Sequence, residues 1–506
     1  MSVIYTVAEV RKIEQAALRD LPAYTLMQRA GQAAAQAALR LLPCPPHSAA
    51  ILVMAGPGNN GGDALEAAAG LAKAGAEVVV LLKTPPSQLP SDAAQALVRA
   101  QKQGVHLMPP EQFPEIDASQ WTLVIDGLFG IGLSRPLDGE WRNLVLAMNA
   151  MPCPVLALDV PSGLDADTGT VVGGASGIAV KASHTITFIA DKAGLHTGDG
   201  PDYAGIVDVA ALAIAEHYLP APNMWLNQPD LFGEYLQPRQ RNSHKGSFGD
   251  VAVIGGAPGM AGAPILAARA AAKCGAGRVF VGYADNPPAY DNAQPELMCR
   301  HAADLDFSSA VLVVGTGLGM ADSALALLTR ALDALSWLVL DADALNLLAR
   351  QPQLHAQVGQ RQHAVLMTPH PLEAARLLGV STSEIQASRV AAARSLAYRF
   401  NAVVVLKGAG SIIARADGAV VVNSTGNPAL ATAGSGDVLS GICGALLAQG
   451  WPQWEAALAA VWLHGHAADQ LVAQGVGPIG LTASELIPEV RLLLNQLVQE
   501  RRQPAL

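Results

Sequence analysis

Short apolar runs alternate with alanine- and leucine-rich stretches along almost the whole chain. Residues 50–55, 77–82, 123–126 and 155–159 read as strands, with helices expected over 64–74 and 91–102. The rhythm returns with strands over 251–254, 279–283, 311–314, 338–341, 365–368 and 403–407, and helices over 264–274, 321–335 and 438–448. These strands are unbroken Val/Ile/Leu, without polar alternation, so both faces are buried. Strands of that kind separated by helices predict parallel sheets covered on both sides, the α/β class. Residues 215–242 break the rhythm with Pro220, Pro222, Pro229 and Pro238. A boundary near 220–228 divides the chain into 1–223 and 224–506, each comfortable for one α/β domain.

Composition narrows the function classes. The chain has 506 residues, 42 acidic against 32 basic side chains, and a net charge of −10. Charged residues are 15% and hydrophobic ones 51%, too apolar for a disordered chain. An acidic chain without a long Lys/Arg block is a poor nucleic-acid binder. The five cysteines (Cys44, Cys153, Cys274, Cys299, Cys443) are scattered and form no CxxC pair. That argues against a disulfide scaffold or structural zinc and suits a reducing cytoplasm. The charged N-terminus lacks a secretory apolar region, and Pro, Gly and Asn interrupt uncharged stretches such as 41–62. No membrane span is expected.

In the first half, Gly56-Pro57-Gly58-Asn59-Asn60-Gly61-Gly62-Asp63 follows an expected strand and precedes a helix. Its glycines allow close backbone approach to a ligand, and free N–H groups at a helix start favour phosphate. The spacing is not GxGxxG, and the Asn and Asp oxygens suit a cation or a ribose. The alternative is a tight turn in which Asp63 offsets the helix dipole. Asp126, before Gly127-Leu128-Phe129-Gly130-Ile131-Gly132, and Asp159, before Val160-Pro161-Ser162-Gly163, stand at two further strand ends. Ligands of open parallel sheets bind beyond such ends, so the three segments are expected to converge on one crevice.

GPGNNGGD, DGLFGIG (126–132) and DVPSGLDADTG (159–169) together resemble the NAD(P)H-hydrate epimerase domain across most of residues 1–215. The resemblance implies a Rossmann-like three-layer αβα domain that binds hydrated NADH and NADPH and a potassium ion. It implies that Asn60, Asp126 and Ser162 hold the potassium. Dinucleotide contacts would come from Asn59, Asn60, Gly61, Gly62 and Asp63, from Gly130, Ile131, Gly132, Leu133, Ser134, Arg135 and Pro136, and from Asp159. Hard oxygen donors suit such a cation better than Cys or His. Asp159 is the candidate acid/base for inverting the hydrated carbon, C6. Lys192 either faces the same pocket or is a solvated loop lysine.

In the second half, Thr432-Ala433-Gly434-Ser435-Gly436-Asp437 leads straight into an apolar helix. The N–H groups of 434–437 would cradle an anion. A carboxylate there costs binding energy unless Asp437 takes a proton from an attacking hydroxyl. Lys407-Gly408-Ala409-Gly410-Ser411 follows a strand without forming a Walker loop. Asp343 either reaches Mg2+ through water or caps a helix, and His370, between prolines, reads as a ligand. His464 and His466, two residues apart, read as core or cap residues rather than metal ligands.

TAGSGDVLSG (432–441) resembles the anion hole of ribokinase-like kinases. With SHKGSFG (243–249), GTGLG (315–319), DADALN (341–346), TPHPLE (368–373) and LKGAG (406–410) it resembles ADP-dependent NAD(P)H-hydrate dehydratase over 240–495. The resemblance implies a ribokinase-like αβα domain using Mg2+ and consuming ADP to AMP and phosphate. Ala263, Gly317, His370 and Asp437 would contact the hydrated coenzyme. Lys407, Gly408, Ala409, Gly410, Ser411 and Gly436 would contact the nucleotide, with Asp437 as base. It also implies a homo-oligomer. Thr316 departs from the proline common in this family. The competing readings are a ribokinase-type vitamin-precursor or sugar kinase, a first half that serves only as a binding scaffold, and, more weakly, an NAD-linked oxidoreductase.

Overall fold

The computed structural model describes residues 2–108, 118–363 and 365–501. The chain forms two compact units, Ser2–Pro222 and Asn223–Leu506.

In the first unit the described residues form a seven-stranded parallel sheet. Its strands are β1 (Ala50–Ala55), β2 (Glu77–Leu82), β3 (His106–Met108), β4 (Leu123–Gly127), β5 (Val155–Leu158), β6 (His184–Phe188) and β7 (Ile206–Ala210). Their spatial order is β3-β2-β1-β4-β5-β6-β7. The order reverses between β1 and β4, which opens a crevice at their carboxyl ends. Register places Met54 beside Asp126 and Ala55 beside Gly127, and Asp126 beside Ala157. The residues following these strands therefore emerge at one level. Helices Thr25–Leu41 and Asn59–Lys73 bury one face, which includes Val53, Leu65, Leu71 and Ile125. Helix Gly139–Asn149 covers the other with Leu144 and Met148.

Helix Asn59–Lys73 starts five residues before the expected 64. A side chain at Gly61 would overlap the Gly56 carbonyl, and one at Gly62 would overlap Met27. Two glycines let this turn pack closely, and their poor helix propensity hides the start in the sequence.

In the second unit the described residues form a ten-stranded sheet. Its strands are β8 (Met224–Leu226), β9 (Asp250–Gly255), β10 (Arg278–Tyr283), β11 (Met298–His301), β12 (Val311–Val314), β13 (Leu338–Leu340), β14 (Val365–Met367), β15 (Val403–Leu406), β16 (Ile412–Ala414) and β17 (Val420–Val422). The order is β11-β10-β9-β12-β13-β14-β15-β16-β17-β8, parallel except that β16 runs antiparallel to both neighbours. β8 arises in the proline-rich segment, where no regular structure was expected, and pairs with β17. Three residues are too few for a hydrophobic period to register.

Helix Ser435–Ala448 is apolar all round because it is buried all round. Gly441 lies against the Ala267 carbonyl of helix Gly262–Lys273, and Gly444 against Val313 of β12. Its N-terminus is thereby fixed beside the carboxyl ends of the strands.

Candidate active sites

In the first unit the chain leaves β5 through Asp159 at φ +65°, a left-handed conformation unusual outside glycine. Its carboxylate accepts from Lys192 Nζ at 2.7 Å and from the Ile131 N–H at 3.3 Å. Lys192 is wholly buried, and its ammonium also donates to Thr187 Oγ1 (2.6 Å), Phe188 O (2.9 Å) and Ala190 O (3.3 Å). One carboxylate and three neutral oxygens offset the cost of burying that charge.

Asp126, on β4, is also wholly buried. Ser162 donates to it through Oγ at 2.6 Å and through N–H at 2.8 Å, and the Leu128 N–H donates at 3.2 Å. Burial still pushes this carboxyl up to about 6. Asn60 is 9% exposed, and neither atom of its amide has a partner. A Cβ at position 130 would lie 2.9 Å from Asp159 Oδ2 and 3.5 Å from Asn60 Oδ1, so Gly130 keeps the space between them open.

Asn60, Gly130 and Asp159 line a cavity of about 450 Å3, within the range of small-ligand sites, whereas Asp126, Ser162 and Lys192 are not part of its wall. Asn59, Asn60, Asp63, Gly130, Ile131 and Asp159 form part of its wall, and helix Val7–Ala17 adds Glu14. Burial, reinforced by the negative charges of Asp159, Glu14 and Glu66, pushes the Asp63 carboxyl well above its ordinary range. Glu14 is raised as well, by burial and then by Asp159. The orphaned Asn60 amide oxygen, the costly Asp126 carboxylate and the Ser162 hydroxyl are hard oxygen donors, and they fit a weakly held cation.

The second unit gathers its charges where β13 and β15 end. Lys407 Nζ lies 2.8 Å from Asp341 Oδ1, and Ser440 Oγ donates to Asp341 Oδ2 at 2.7 Å. Burial works against the Lys407 charge, but Asp341, Glu373 and Asp437 outweigh it and raise its pKa. A Cβ on Gly436 would sit 3.2 Å from Lys407 Nζ, so lysine and helix start are adjacent. Gly434, at φ +89°, turns the chain into helix Ser435–Ala448. The Ser435 N–H is spent on Thr432 O at 3.4 Å, so the N–H groups offered by this turn are those of Gly436 and Asp437 rather than the whole run. Burial, then Asp341 and Asp343, push the Asp437 carboxyl up to about 7 against the pull of Lys407.

Three neighbours shape this crevice. His370 Nδ1 accepts the N–H groups of Leu372 (3.1 Å) and Glu373 (3.4 Å), which makes the ring the N-cap of helix Pro371–Leu378. Its Nε2 lies 3.2 Å from Glu373 Oε1, and burial and Lys407 lower its pKa. Burial pushes the Glu373 carboxyl up to about 7. Arg389, 1% exposed, runs beneath the 406–410 turn and donates to Leu406 O, Lys407 O and Gly410 O at 3.3, 3.2 and 3.5 Å.

A family model described as NAD(P)H-hydrate dehydratase matches residues 251–490, and one described as YjeF-related protein N-terminus matches residues 23–194. The bifunctional NAD(P)H-hydrate repair enzyme of Coxiella burnetii is 41% identical over 505 residues, covering 98% of this chain and all of the relative. Its Escherichia coli counterpart is 37% identical, covering 96% of this chain and 93% of that one. The chain belongs to the bifunctional NAD(P)H-hydrate repair enzyme family. Among solved structures, an ADP/ATP-dependent NAD(P)H-hydrate dehydratase from Bacillus subtilis, co-crystallised with ATP/Mg2+, is 29% identical. That match covers 55% of this chain and all of that one, with a TM-score of 0.48.

Against that family, the residues singled out from sequence divide by position. In the first unit Asn59, Asn60, Asp63, Gly130, Ile131, Gly132, Leu133 and Asp159 line the cavity. Gly61 and Gly62 are packed beneath it, Ser134 and Arg135 are exposed, and Pro136 lies against Gly173. Lys192 is no solvated loop lysine, since its charge lies inside the protein. In the second unit Ala263 and Gly317 face each other, with a Cβ at 317 falling 3.2 Å from Ala263 Cβ. Asp343 is not a helix cap; its Oδ2 accepts the Gly319 N–H at 2.8 Å. Asp437 accepts no capping bond either. His464 is 8% exposed in helix Gln453–Ala473, and His466 stacks on Trp462. Sequence reasoning did not single out Asp341, Glu373, Arg389 or Glu14. Asp341 and Glu373 lay within quoted motifs, whereas nothing local marks Arg389 or Glu14.

Proposed function

We propose that the first unit interconverts the R and S forms of hydrated NADH and NADPH at C6, and that the second dehydrates the S form with ADP. AMP and phosphate are the other products. The observation that carries this reading is Asp437, with a carboxyl near 7, beside Lys407 and the unspent N–H groups of a buried helix. A base works best when its pKa lies near the working pH.

Hydroxide leaves poorly from carbon at neutral pH. Asp437 takes the proton of the ring hydroxyl, whose oxygen attacks the terminal phosphoryl group of ADP and displaces AMP. The Gly436 and Asp437 N–H groups and Lys407 stabilise the phosphoryl oxygens. The C6–O bond then breaks with phosphate as leaving group, driven by the ring nitrogen lone pair, and loss of a neighbouring proton restores the double bond. Mg2+ would arrive with the nucleotide phosphates and neutralise their charge.

In the first unit Asn60, Asp126 and Ser162 would hold potassium, whose charge would compensate Asp126. Asp159, oriented by Lys192, exchanges protons with the oxygen on the hydrated carbon. The described residues include no helix long and apolar enough to cross a membrane. All five cysteines are free thiols, which favours a reducing compartment such as the cytoplasm. A homo-oligomer belongs to the same reading, and sedimentation tests it.

The functional test mixes the full chain with hydrated NADH, both epimers present, and ADP or ATP. Dihydronicotinamide absorbance should return in full. No return with either nucleotide contradicts the reading.

A further inference from the structure

Asp63 lies in the second turn of helix Asn59–Lys73 and lines the first cavity together with Asp159. Each carboxyl comes from a different strand end, with the β4 loop between them. Their surroundings differ. Asp159 is paired with Lys192 and takes backbone N–H groups. The Asp63 carboxyl takes no hydrogen bond among the described residues. The groups facing it are mostly acidic: Glu66 on its own helix, Glu14 on helix Val7–Ala17, and Asp159. Asp92 lines the same cavity, its Oδ2 already accepting the Tyr24 N–H. The nearby cations are committed elsewhere, Lys192 to Asp159 and Arg11 to Ile131 O. Burial and these acidic neighbours both favour the protonated form of such a carboxyl. Independently, the buried and unpartnered Asn60 amide opens on the same space, as a site awaiting a ligand would.

Two carboxyls in one cavity, one unpaired among acids and the other paired with a lysine, are the arrangement of an acid and a base. Resting on the epimerase reading of this cavity, we propose that Asp63 is the general acid of epimerisation and the Asp159–Lys192 pair its base. Asp63 gives its proton to the C6 hydroxyl, and the C6–O bond breaks to release water. The ring nitrogen lone pair forms a C=N+ bond. A second water adds to the other face of C6, its electron pair making the new C–O bond and returning the nitrogen lone pair, while its proton passes to Asp159. The pair of carboxyls then holds its one proton on the other partner, ready for the opposite epimer or for exchange with solvent.

The experiment follows epimer interconversion by the full chain without nucleotide, in potassium buffer and 18O-labelled water. The wild type should incorporate one labelled oxygen per inversion and slow as rising pH ionises Asp63. Asp63→Asn should lower kcat by about 100-fold or more with KM nearly unchanged, and should lose that limb of the pH profile. Because the amide keeps the shape of the carboxyl and introduces no charge, its melting temperature and its dehydratase activity should match the wild type. Asp63→Glu should recover part of the rate with a shifted limb. A folded Asp63→Asn chain within about threefold of wild type overturns the role of Asp63 alone. Inversion without label overturns the carbon–oxygen cleavage. A wild type that does not accelerate inversion overturns the epimerase reading itself.

Discussion

Both units set an aspartate–lysine pair where parallel strands end, but the pairs are built for different work. Lys192 is wholly buried, and Asp159 with three neutral oxygens saturates its donors. It is a fixed counter-ion that has nothing left to offer a ligand directly. The Lys407 side chain is 21% exposed, and its hydrogen bond goes to Asp341. An ammonium has three donors, so Lys407 keeps capacity for a phosphate. The neighbouring helix N-terminus has the same surplus. The first crevice is thus equipped to move protons, the second to hold an anion while a proton moves.

The largest expected effect separates the two. Asp437→Asn should cut dehydration by about 1,000-fold or more while leaving epimerisation unchanged, as assayed on purified epimers. In the wild type, dehydration should rise with pH through about 7 as Asp437 ionises, and fall about tenfold for each unit below. Loss of both activities in a folded variant would erase the contrast.

Next in size is Lys192→Met. It leaves Asp159 buried without its counter-ion, and should cost about 3–5 kcal/mol in the denaturant transition of the first unit, along with epimerisation. Lys407→Met should weaken nucleotide binding with a smaller loss of stability, because that lysine reaches solvent.

Asp126 sharpens the picture through pH. Its folded pKa lies above its unfolded one, so its contribution to stability is complete below about pH 4 and is lost as pH rises through about 6. The loss is on the order of 3 kcal/mol for a shift of about two units. Potassium bound beside the carboxylate should restore part of it. Added potassium should therefore raise the melting temperature of the first unit at about pH 8 and hardly at all at about pH 4. Equal effects at both pH values would remove Asp126 from the cation site.

The smallest expected effect is steric. Gly130→Ala puts a methyl group between Asn60 and Asp159 and should slow epimerisation about tenfold, with dehydration untouched.

Most of the framework was legible because unbroken apolar runs leave few alternatives to a covered parallel sheet. The ten expected strands each agree with an observed one to within one residue at either end, β1, β2 and β12 without any difference, whereas β3, β6, β7, β8, β11, β16 and β17 are not anticipated by the pattern. β9 and β10 start one residue early at their amino ends, and four other differences fall where chemistry is. Asp159, Asp341, Thr368 and Lys407 read as last strand residues, yet β5, β13, β14 and β15 each stop one residue earlier. Asp159 shows why: its left-handed backbone departs from the sheet as its side chain turns to Lys192. Glu14 was not legible because it reaches its site from a helix remote in sequence, and Arg389 because nothing near it marks a side chain that folds back beneath the turn after the next strand. His370 was legible as a conspicuous residue, but its engagement of two N–H groups in the helix cap depends on geometry.

One mixing experiment tests the central claim, that the two crevices act independently and in succession on the same damaged coenzyme. Gly130→Val, which fills the first cavity, is given both epimers of hydrated NADH and ADP, and Asp437→Asn is added part-way. Absorbance should climb to one epimer's share, slow, and then resume to completion when the second chain supplies epimerisation in trans. A time course that Asp437→Asn leaves unchanged would contradict the account.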